Sequence, residues 1–356
     1  MKPTDTPEWK KWPLEAKQRL LQRLRMKNQS AKGPPASPLD LGKLVFGAAY
    51  QDGRHTRYLN EQLLNVANGS ADRLLVMMPP RHFKSETCSH LFPAWYLGNF
   101  PDKRVIVAGY GGTFAEEWGR KARNTLSEFG HLWGVQIDQT SRAADRWDIA
   151  GHRGGMYTAG IGTALTGRGA DVLVIDDAVK DAASAFSVIC RKQAYDWFQS
   201  VALTRLSPEG KIIVVGTRWH QDDLIGRILQ TSQNDHKADR WHVVNFPALA
   251  EANDVLGRQL GEPLFPERYD QAALERIKAN LVTEFWWYAL YQQRPPAELG
   301  GIINIEKLRG FELQGNYCRL YDQLDGGSQV AVIDRTQCTR IVVIDCAATS
   351  EDVAAQ

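Results

Sequence analysis

Hydrophobic residues recur along the chain in short, almost continuous runs, separated by longer stretches of helical periodicity. The runs are rich in Val, Ile and Leu, as expected for strands that are covered on both faces of a sheet. Strands are predicted at Arg73–Met78, Arg104–Gly109, Val172–Asp176, Lys211–Gly216 and Trp241–Phe246. Helices are predicted between them at Lys84–Leu97, Thr113–Phe129, Arg191–Leu203 and Asp222–Gln230. This alternation predicts an α/β fold with a mostly parallel sheet.

The two ends of the chain differ from this pattern. Leu14–Met26 predicts a basic amphipathic helix, and the Pro- and Gly-rich segment Lys32–Pro38 follows it as a tether. A last helical region, Gln271–Gln293, ends at a pair of prolines, which stop helices. One clear strand, Arg340–Asp345, comes later, and we expect it to begin an incomplete domain. The predicted divisions are a basic region with its linker at 1–50, an α/β domain at 51–296 and the incomplete domain at 297–356.

Composition narrows the class of protein. A chain of 356 residues with 43% hydrophobic and 24% charged residues is globular and long enough for two domains. It has no apolar run near the ~18 residues that span a bilayer and no apolar leader, so we expect a cytoplasmic location and no membrane. The five cysteines form no CxxC pair, which disfavours a disulfide framework or a zinc site.

Charge is unevenly distributed. The formal net charge is only +2, but residues 1–57 carry twelve Lys and Arg against five Asp and Glu. A basic end on a nearly neutral body fits a phosphate-rich partner, although the solvated face of a helix would show the same residues.

The first candidate site is the sequence MMPPRHFKSE at Met77–Glu86. It follows a buried strand and opens a helix, which is where a phosphate-binding loop belongs. Lys84 would reach the outer phosphates and the Ser85 hydroxyl would bind Mg²⁺. Met78 and Phe83 replace the glycines of the GxxxxGK[ST] pattern, and a Pro-rich turn before a helix is the alternative. The candidate nucleotide-binding residues of this loop are Pro80, Arg81, His82, Phe83, Lys84 and Ser85.

The second candidate site is VLVIDD at Val172–Asp177, where a buried strand ends in two carboxylates. The carboxyl end of such a strand is the usual location of an α/β active site. Asp176 would bind Mg²⁺, and Asp177 would orient or deprotonate the attacking water. The alternative is an ordinary strand-to-loop transition, in which an apolar strand also ends in acidic residues.

Three arginines and a threonine extend the predicted site. Thr217 and Arg218 end the strand IIVVG and would lie beside a γ-phosphate if that strand neighbours the one that ends at Asp176. Arg81 could stabilise transition-state charge from within the loop. Arg168, flanked by two glycines, suits a finger offered to a neighbouring subunit. A loop arginine at a simple strand end is the alternative for Arg218, and a surface arginine in a turn is the alternative for Arg168.

Asp345 ends the last predicted strand in VVIDCA. A carboxylate there can be one ligand of a two-metal nuclease, but such a site needs further carboxylates from later elements. Only Glu351 and Asp352 follow. We therefore expect Asp345 to be a solitary acid.

From about residue 55 onwards the sequence resembles the large terminase subunit of tailed bacteriophages, the motor that packages DNA into proheads. The likeness rests on eight blocks in the family's order: RLLVMMPPRHFKSE, LFPAWYLGNFPDKRVIVAGY, SRAADRW, TGRGADVLVIDDAVKD, TRWHQDDLIGRIL, FPALAE, PLFPERY and ALYQQRPP. The resemblance implies a P-loop ATPase of the ASCE type followed by an RNase H-like nuclease.

The resemblance also implies roles for individual residues. Lys84 and Ser85 match the Walker A pair, with Phe83 where the family commonly has Gly. The other matches are Asp176 (Mg²⁺), Asp177 (catalytic carboxylate), Gly216–Arg218 (coupling motif), Arg168 (arginine offered between subunits), Tyr58 and Gln62 (adenine segment) and Asp345 (first nuclease carboxylate).

The function implied is Mg²⁺-dependent ATP hydrolysis that drives double-stranded DNA into a prohead. The implied partners are DNA, a small terminase subunit, a portal ring and sibling copies of the chain, with ATP and Mg²⁺ bound. We expect the nuclease function to be lost in this chain. A helicase-like nucleic-acid ATPase and an inactive prophage remnant are the alternatives.

Overall fold

The computed structural model describes residues 13, 33–165, 167, 169–296, 311–321, 328–334 and 336. The chain divides into two compact units, Met1–Pro296 and Ala297–Gln356. The predicted elements Leu14–Met26 and Arg340–Asp345 lie outside the described residues, as do Arg168 and Asp345.

The first unit is built on a sheet of eight strands in the order β3-β4-β5-β2-β6-β7-β1-β8. All neighbouring pairs from β5 to β8 are parallel, and β3 and β4 add an antiparallel edge. The prediction of an α/β fold with a mostly parallel sheet is therefore confirmed. The strands are β1 Arg73–Met77, β2 Arg104–Gly109, β3 Ile137–Arg142, β4 Arg146–Ile149, β5 Gly155–Gly160, β6 Ala170–Asp176, β7 Leu206–Gly216 and β8 His242–Asn245.

Register brings three strand ends to one place. Met77 pairs with Gly216 across β1 and β7, and Asp176 pairs with Val215 across β6 and β7. Since these strands are parallel, the loops that follow them leave from the same edge of the sheet. The three strongest motifs of the sequence, which follow β1, β6 and β7, therefore lie at that edge.

Helices cover both faces of the sheet. They are α1 Pro38–Phe46, α2 Arg54–Asn68, α3 Phe92–Asn99, α4 Gly112–Phe129, α5 Ala182–Phe186, α6 Val188–Trp197, α7 Leu224–Asn234, α8 Gln271–Asn280 and α9 Glu284–Trp286. Three π-helical segments adjoin them at Glu86–Leu91, Phe198–Ala202 and Trp287–Tyr291, with short 3₁₀ turns at Gly47–Ala49, Gly130–Leu132 and Leu203–Arg205. In the part of the chain that is described, no helix is long and apolar enough to cross a membrane.

The prediction of one helical region over Gln271–Gln293 is wrong. Helix α8 ends at Asn280, and the chain is extended at Leu281 and Thr283 before α9 begins. Val282 and Thr283 are β-branched, and their stiff side chains favour extended backbone. The helical periodicity on either side hid this break.

The hydrophobic runs are continuous because alternate residues serve two cores. Leu74 and Val76 of β1 pack into the core beneath α1 to α4, whereas Leu75 and Met77 pack into the core on the opposite face. The missed strands β3, β4 and β5 lie toward one edge and carry polar residues such as those of IDQTSR, so they lack the same signal.

The second unit contains an antiparallel three-stranded sheet of β9 Phe311–Gln314, β10 Tyr317–Tyr321 and β11 Gln329–Asp334, in the order β11-β10-β9. Its RNase H-like identity stays a prediction.

Candidate nucleotide site

The loop after β1 has an unusual backbone. Arg81 and Phe83 adopt positive φ angles of 65° and 68°, which non-glycine residues rarely do. Each left-handed residue costs about 1 kcal/mol. Alternation of backbone handedness is typical of anion-binding nests, in which successive N–H groups converge. Phe83 thus adopts the conformation that the glycine of the GxxxxGK[ST] pattern would supply.

Two buried histidines stabilise this loop. His82 Nδ1 lies 2.8 Å from the carbonyl oxygen of Pro80, and His55 Nε2 lies 3.2 Å from the carbonyl oxygen of His82. Burial lowers the pKa of His82 to about 4 and that of His55 to about 3. Both rings are therefore neutral at pH 7, and each N–H can donate to the nearby carbonyl.

Aromatic packing holds the Phe83 side chain. Its ring lies 6.0 Å from that of Phe265 and 6.2 Å from that of Tyr50, and the Arg268 guanidinium lies 5.2 Å above it. His82 stacks on Tyr269 at 4.9 Å. These contacts compensate the strain that a glycine would have avoided.

Lys84 lies at the start of the helical turn that follows the loop. Its Nζ is 2.8 Å from Asp177 Oδ2, and the two side chains are only 11% and 20% exposed. Burial alone would lower the pKa of Lys84, but the carboxylates of Asp177 and Asp176 outweigh burial and raise it. Lys84 is thus a charged ammonium held between two acids.

Asp176 is fully buried beside two serines. Ser85 Oγ donates to its Oδ1 at 2.9 Å, and Ser89 Oγ donates to its Oδ2 at 2.7 Å. Burial and the neighbouring charge of Asp177 raise the pKa of Asp176 to about 7. Ser89 was missed by sequence reasoning; its spacing of four residues from Ser85 was the available signal.

The oxygen atoms of Ser85 and Asp176 fit Mg²⁺, a hard cation that is usually held by one or two protein oxygens together with substrate phosphates and waters. Within the described residues no cluster of three or more His, Cys, Asp or Glu side chains could hold a metal by itself. Such a site would bind Mg²⁺ together with a nucleotide rather than alone.

Thr217 connects the ends of β1, β6 and β7. Its N–H donates to Asp177 Oδ1 at 3.2 Å, and its Oγ1 donates to the Met78 carbonyl at 3.0 Å. Asp177 is also left-handed, with φ 46°. The structure therefore brings together Lys84, Ser85, Asp176, Asp177 and Thr217.

Arg218 does not project into this site as predicted. Its Nε lies 2.9 Å from Asp223 Oδ2, its Nη2 donates to two backbone carbonyls, and only 8% of the residue is exposed. Asp223 also accepts from the Gly226 N–H and thereby caps α7. The guanidinium thus stabilises the turn after β7 through its ion pair with Asp223. A buried charge of this kind is normally paired with an opposite charge.

The two residues of the predicted adenine segment are not brought together at the loop. Tyr58 packs edge-on against Phe246, with ring centroids 5.9 Å apart. Gln62 lines a cavity with Ser70, Asp72 and Arg73, which lie at the amino end of β1. A five-residue strand spans about 17 Å, so Gln62 lies far from the phosphate loop.

The remaining predicted residues are less constrained. The Arg81 side chain is exposed, and within the described residues it forms no ion pair. Arg168 and Asp345 lie outside the described part of the chain.

Chemically, the cluster combines the backbone amides of a strained loop, one largely buried cation, two adjacent carboxylates and three hydroxyls. The cation and amides suit the phosphates of a nucleotide, and the carboxylates suit a metal ion and a water.

Comparison with solved structures gives likenesses of low sequence identity. A large terminase from a thermophilic bacteriophage shares 13% identity over 65% of this chain and 53% of its own, with a TM-score of 0.39. The ATPase domain of the Thermus phage P74-26 large terminase shares 11% identity over 66% of this chain and 92% of its own, with a TM-score of 0.42. The HK97 bacteriophage large terminase shares 12% identity over 72% of this chain and 58% of its own, with a TM-score of 0.42.

The chain thus spans about half the length of the first of these terminases. No curated protein matches the sequence. The family model described as terminase large subunit, T4-like-virus type, N-terminal, matches residues 75–309, which are about two thirds of the chain. The protein therefore belongs to the family of terminase large subunits.

Proposed function

We propose that this chain hydrolyses ATP with Mg²⁺ and uses the energy to move double-stranded DNA in phage packaging. The observation that supports this most directly is the meeting of Lys84, Ser85, Asp176 and Asp177 behind a left-handed loop, in a chain of the terminase large-subunit family. In-line attack of water on the γ-phosphate fits this set of groups.

Each residue then has a distinct role. Lys84 binds the outer phosphates, since it is a buried cation whose charge Asp177 and Asp176 maintain. Asp177 orients the attacking water and accepts its proton, because its Oδ2 is free to do so once Lys84 turns to phosphate. Thr217 holds the other oxygen of Asp177 in place.

Ser85 and Asp176 would hold Mg²⁺, which when bound neutralises phosphate charge. Ser89 orients the Asp176 carboxylate through its hydrogen bond to Oδ2. Arg81, exposed at the rim of the loop, would add positive charge toward the transition state. We propose Arg168 as the arginine that contacts the nucleotide phosphates of a neighbouring subunit.

The proposed partners follow from family membership. They are double-stranded DNA, a small terminase subunit, a portal ring and further copies of this chain, in the cytoplasm of the bacterial host. Binding of DNA through its phosphates would be strongly salt-dependent.

The test separates binding from chemistry. Asp177→Asn should still bind Mg-ATP but hydrolyse it ~10²–10⁴-fold more slowly, as for loss of an acid–base group. Asp171→Asn, at the other end of β6, is the matched control and should keep wild-type turnover. Equal turnover in Asp177→Asn and wild type would contradict the proposed role, and strand separation by the wild type would favour a helicase instead.

A further inference from the structure

Gln293 links the carboxyl end of β7 to the last described segment of the first unit. Its Oε1 accepts a hydrogen bond from the Arg218 N–H at 3.0 Å, and its Nε2 donates to the Leu290 carbonyl. Only 2% of the residue is exposed. Its φ of 57° is left-handed, so these contacts maintain a conformation that glutamine rarely adopts.

A chain of polar contacts joins Gln293 to the phosphate loop. Lys84 Nζ lies 2.8 Å from one oxygen of Asp177, and the other oxygen of Asp177 accepts from the Thr217 N–H at 3.2 Å. Arg218, the next residue, donates its N–H to Gln293. Three short contacts and one peptide unit thus span the distance from the loop to Gln293.

The first of these contacts, between Lys84 and Asp177, has two possible states. The Lys84 ammonium that pairs with Asp177 is the same group proposed to bind the outer phosphates. When phosphate takes Lys84, Asp177 loses its cation and its other oxygen is free to shift away from Thr217. A local change of partner is what makes coupling through such a chain physically possible.

The segment after Gln293 is suited to transmit this change. Arg294 forms an ion pair with Glu251 at 3.0 Å, and Pro295 and Pro296 follow it. Proline fixes its own φ, so a backbone change at Gln293 redirects the chain rather than being absorbed over several residues.

We propose that Gln293 is a positioning residue that couples occupancy of the nucleotide site to the segment through which the chain leaves the first unit. The proposal rests on the proposed function, because it requires that Lys84 bind a nucleotide phosphate. It assigns to this glutamine a role that Arg218, committed to Asp223, cannot fulfil with its own side chain.

Gln292 provides a matched control. Its side-chain amide accepts from the Leu249 N–H at 3.0 Å and donates to Glu251 Oε1 at 2.7 Å. It therefore fastens the same segment to the loop after β8, and within the described residues its side chain forms no hydrogen bond to β7. A general loosening of this segment should follow from either substitution, whereas loss of coupling should follow only from a change at Gln293.

The experiment is hydrogen–deuterium exchange on the full chain, with and without saturating Mg-ATPγS. In the wild type and in Gln292→Ala, exchange of the amides at 288–294 should change by about threefold or more on binding. In Gln293→Gly, which tolerates the left-handed backbone, it should change by less than about 1.5-fold. Gln293→Asn, which also accepts positive φ but is one methylene too short, should behave the same way.

Kinetics give a second readout. The two Gln293 variants should lower kcat by about tenfold and leave KM within about twofold, since binding is intact and only the later coupling is lost. A wild-type response in both Gln293 variants, or an equal loss in Gln292→Ala, would overturn the inference. Nucleotide binding by the wild type with no change in exchange would overturn this inference alone, whereas no binding at all would overturn the proposed function too.

Discussion

A lysine–aspartate pair lies at each end of strand β6, and the two pairs are similar in distance but differ in the burial of the lysine and in the backbone of the aspartate. At the amino end Lys103 lies 2.9 Å from Asp171, with side chains 47% and 23% exposed. At the carboxyl end Lys84 lies 2.8 Å from Asp177, with side chains 11% and 20% exposed. Asp171 lies within β6, where the pairing with β7 is irregular, whereas Asp177 follows the strand and is left-handed, with φ 46°.

This difference separates a structural ion pair from a functional one. The exposed pair is screened by water and is supported by the Arg104 N–H, which donates to Asp171 at 2.8 Å. The buried pair combines desolvated charge with backbone strain, and both are maintained only where the surroundings enforce them. Burial and strain, rather than the distance between charges, identify the edge at which chemistry is expected.

The largest expected difference between the two pairs is in ATP turnover. Lys84→Ala should lower the rate of phosphate release by about 100-fold or more, since it removes the buried cation that faces the phosphates. Lys103→Ala should leave turnover within about twofold of wild type, because its pair is exposed. Phosphate release at saturating Mg-ATP measures both, with circular dichroism as a check on folding. Comparable turnover in the two variants would show that the buried pair is not part of the catalytic site.

The second expected difference is in stability. Lys84→Ala leaves the buried Asp176 and the partly buried Asp177 without a cation, and we expect it to lower the free energy of unfolding by about 3 kcal/mol. Lys103→Ala should lower it by less than about 1 kcal/mol. Urea denaturation followed by fluorescence gives both values. A smaller loss for Lys84→Ala than for Lys103→Ala would mean that the strained edge relaxes when its pair is broken.

The third difference is in the response to pH. His55 and His82 support the carboxyl edge and keep pKa values of about 3 and about 4 when folded, against about 6.5 in an unfolded chain. The unfolded state therefore takes up protons first as pH falls below about 6.5, and stability decreases until the folded pKa is reached. Between pH 7 and pH 5 each ring should contribute a loss of about 2 kcal/mol.

A substitution at each edge isolates this contribution. His82→Gln can still donate to the Pro80 carbonyl but cannot be protonated, so it should remove about half of the histidine-dependent loss of stability. His152→Gln, at an exposed histidine near the amino edge, should leave the loss unchanged. Unfolding curves at pH 7, 6 and 5 for the three proteins provide the comparison. An unaltered pH dependence in His82→Gln would mean that folding does not lower the pKa of this ring.

Sequence reasoning located the functional edge because its signals are local. The strands that end at Met77, Asp176 and Gly216 are continuous apolar runs, and parallel pairing places their ends together whatever the rest of the fold does. It was less reliable where the position of a side chain depends on how the backbone turns after the strand or helix. The ion pair of Arg218 depends on how the turn to Asp223 folds back, and the position of Gln62 depends on the direction of α2.

The loop itself shows the limit of pattern matching. The sequence lacks the glycines of a phosphate loop, but the backbone at Phe83 has the handedness that a glycine would adopt. That result depends on Phe265, Tyr50 and Arg268, which are distant in sequence and are no part of the GxxxxGK[ST] pattern. A pattern records the residue that makes a conformation easy, whereas packing can enforce the same conformation on another residue.

The smallest expected effect tests that last point directly. Phe83→Ala removes the ring contacts and retains the left-handed strain, whereas Phe83→Gly removes both. Glycine populates φ near 68° at little cost, so the Gly variant should be more stable than the Ala variant by about 1 kcal/mol. This is the reverse of the order expected in an ordinary helix or strand, where Ala is the more stable. Thermal unfolding of the two variants under identical conditions measures the difference. If the Ala variant proved the more stable, Phe83 would not be strained in the folded protein, and the equivalence between this loop and a glycine-containing phosphate loop would have to be abandoned.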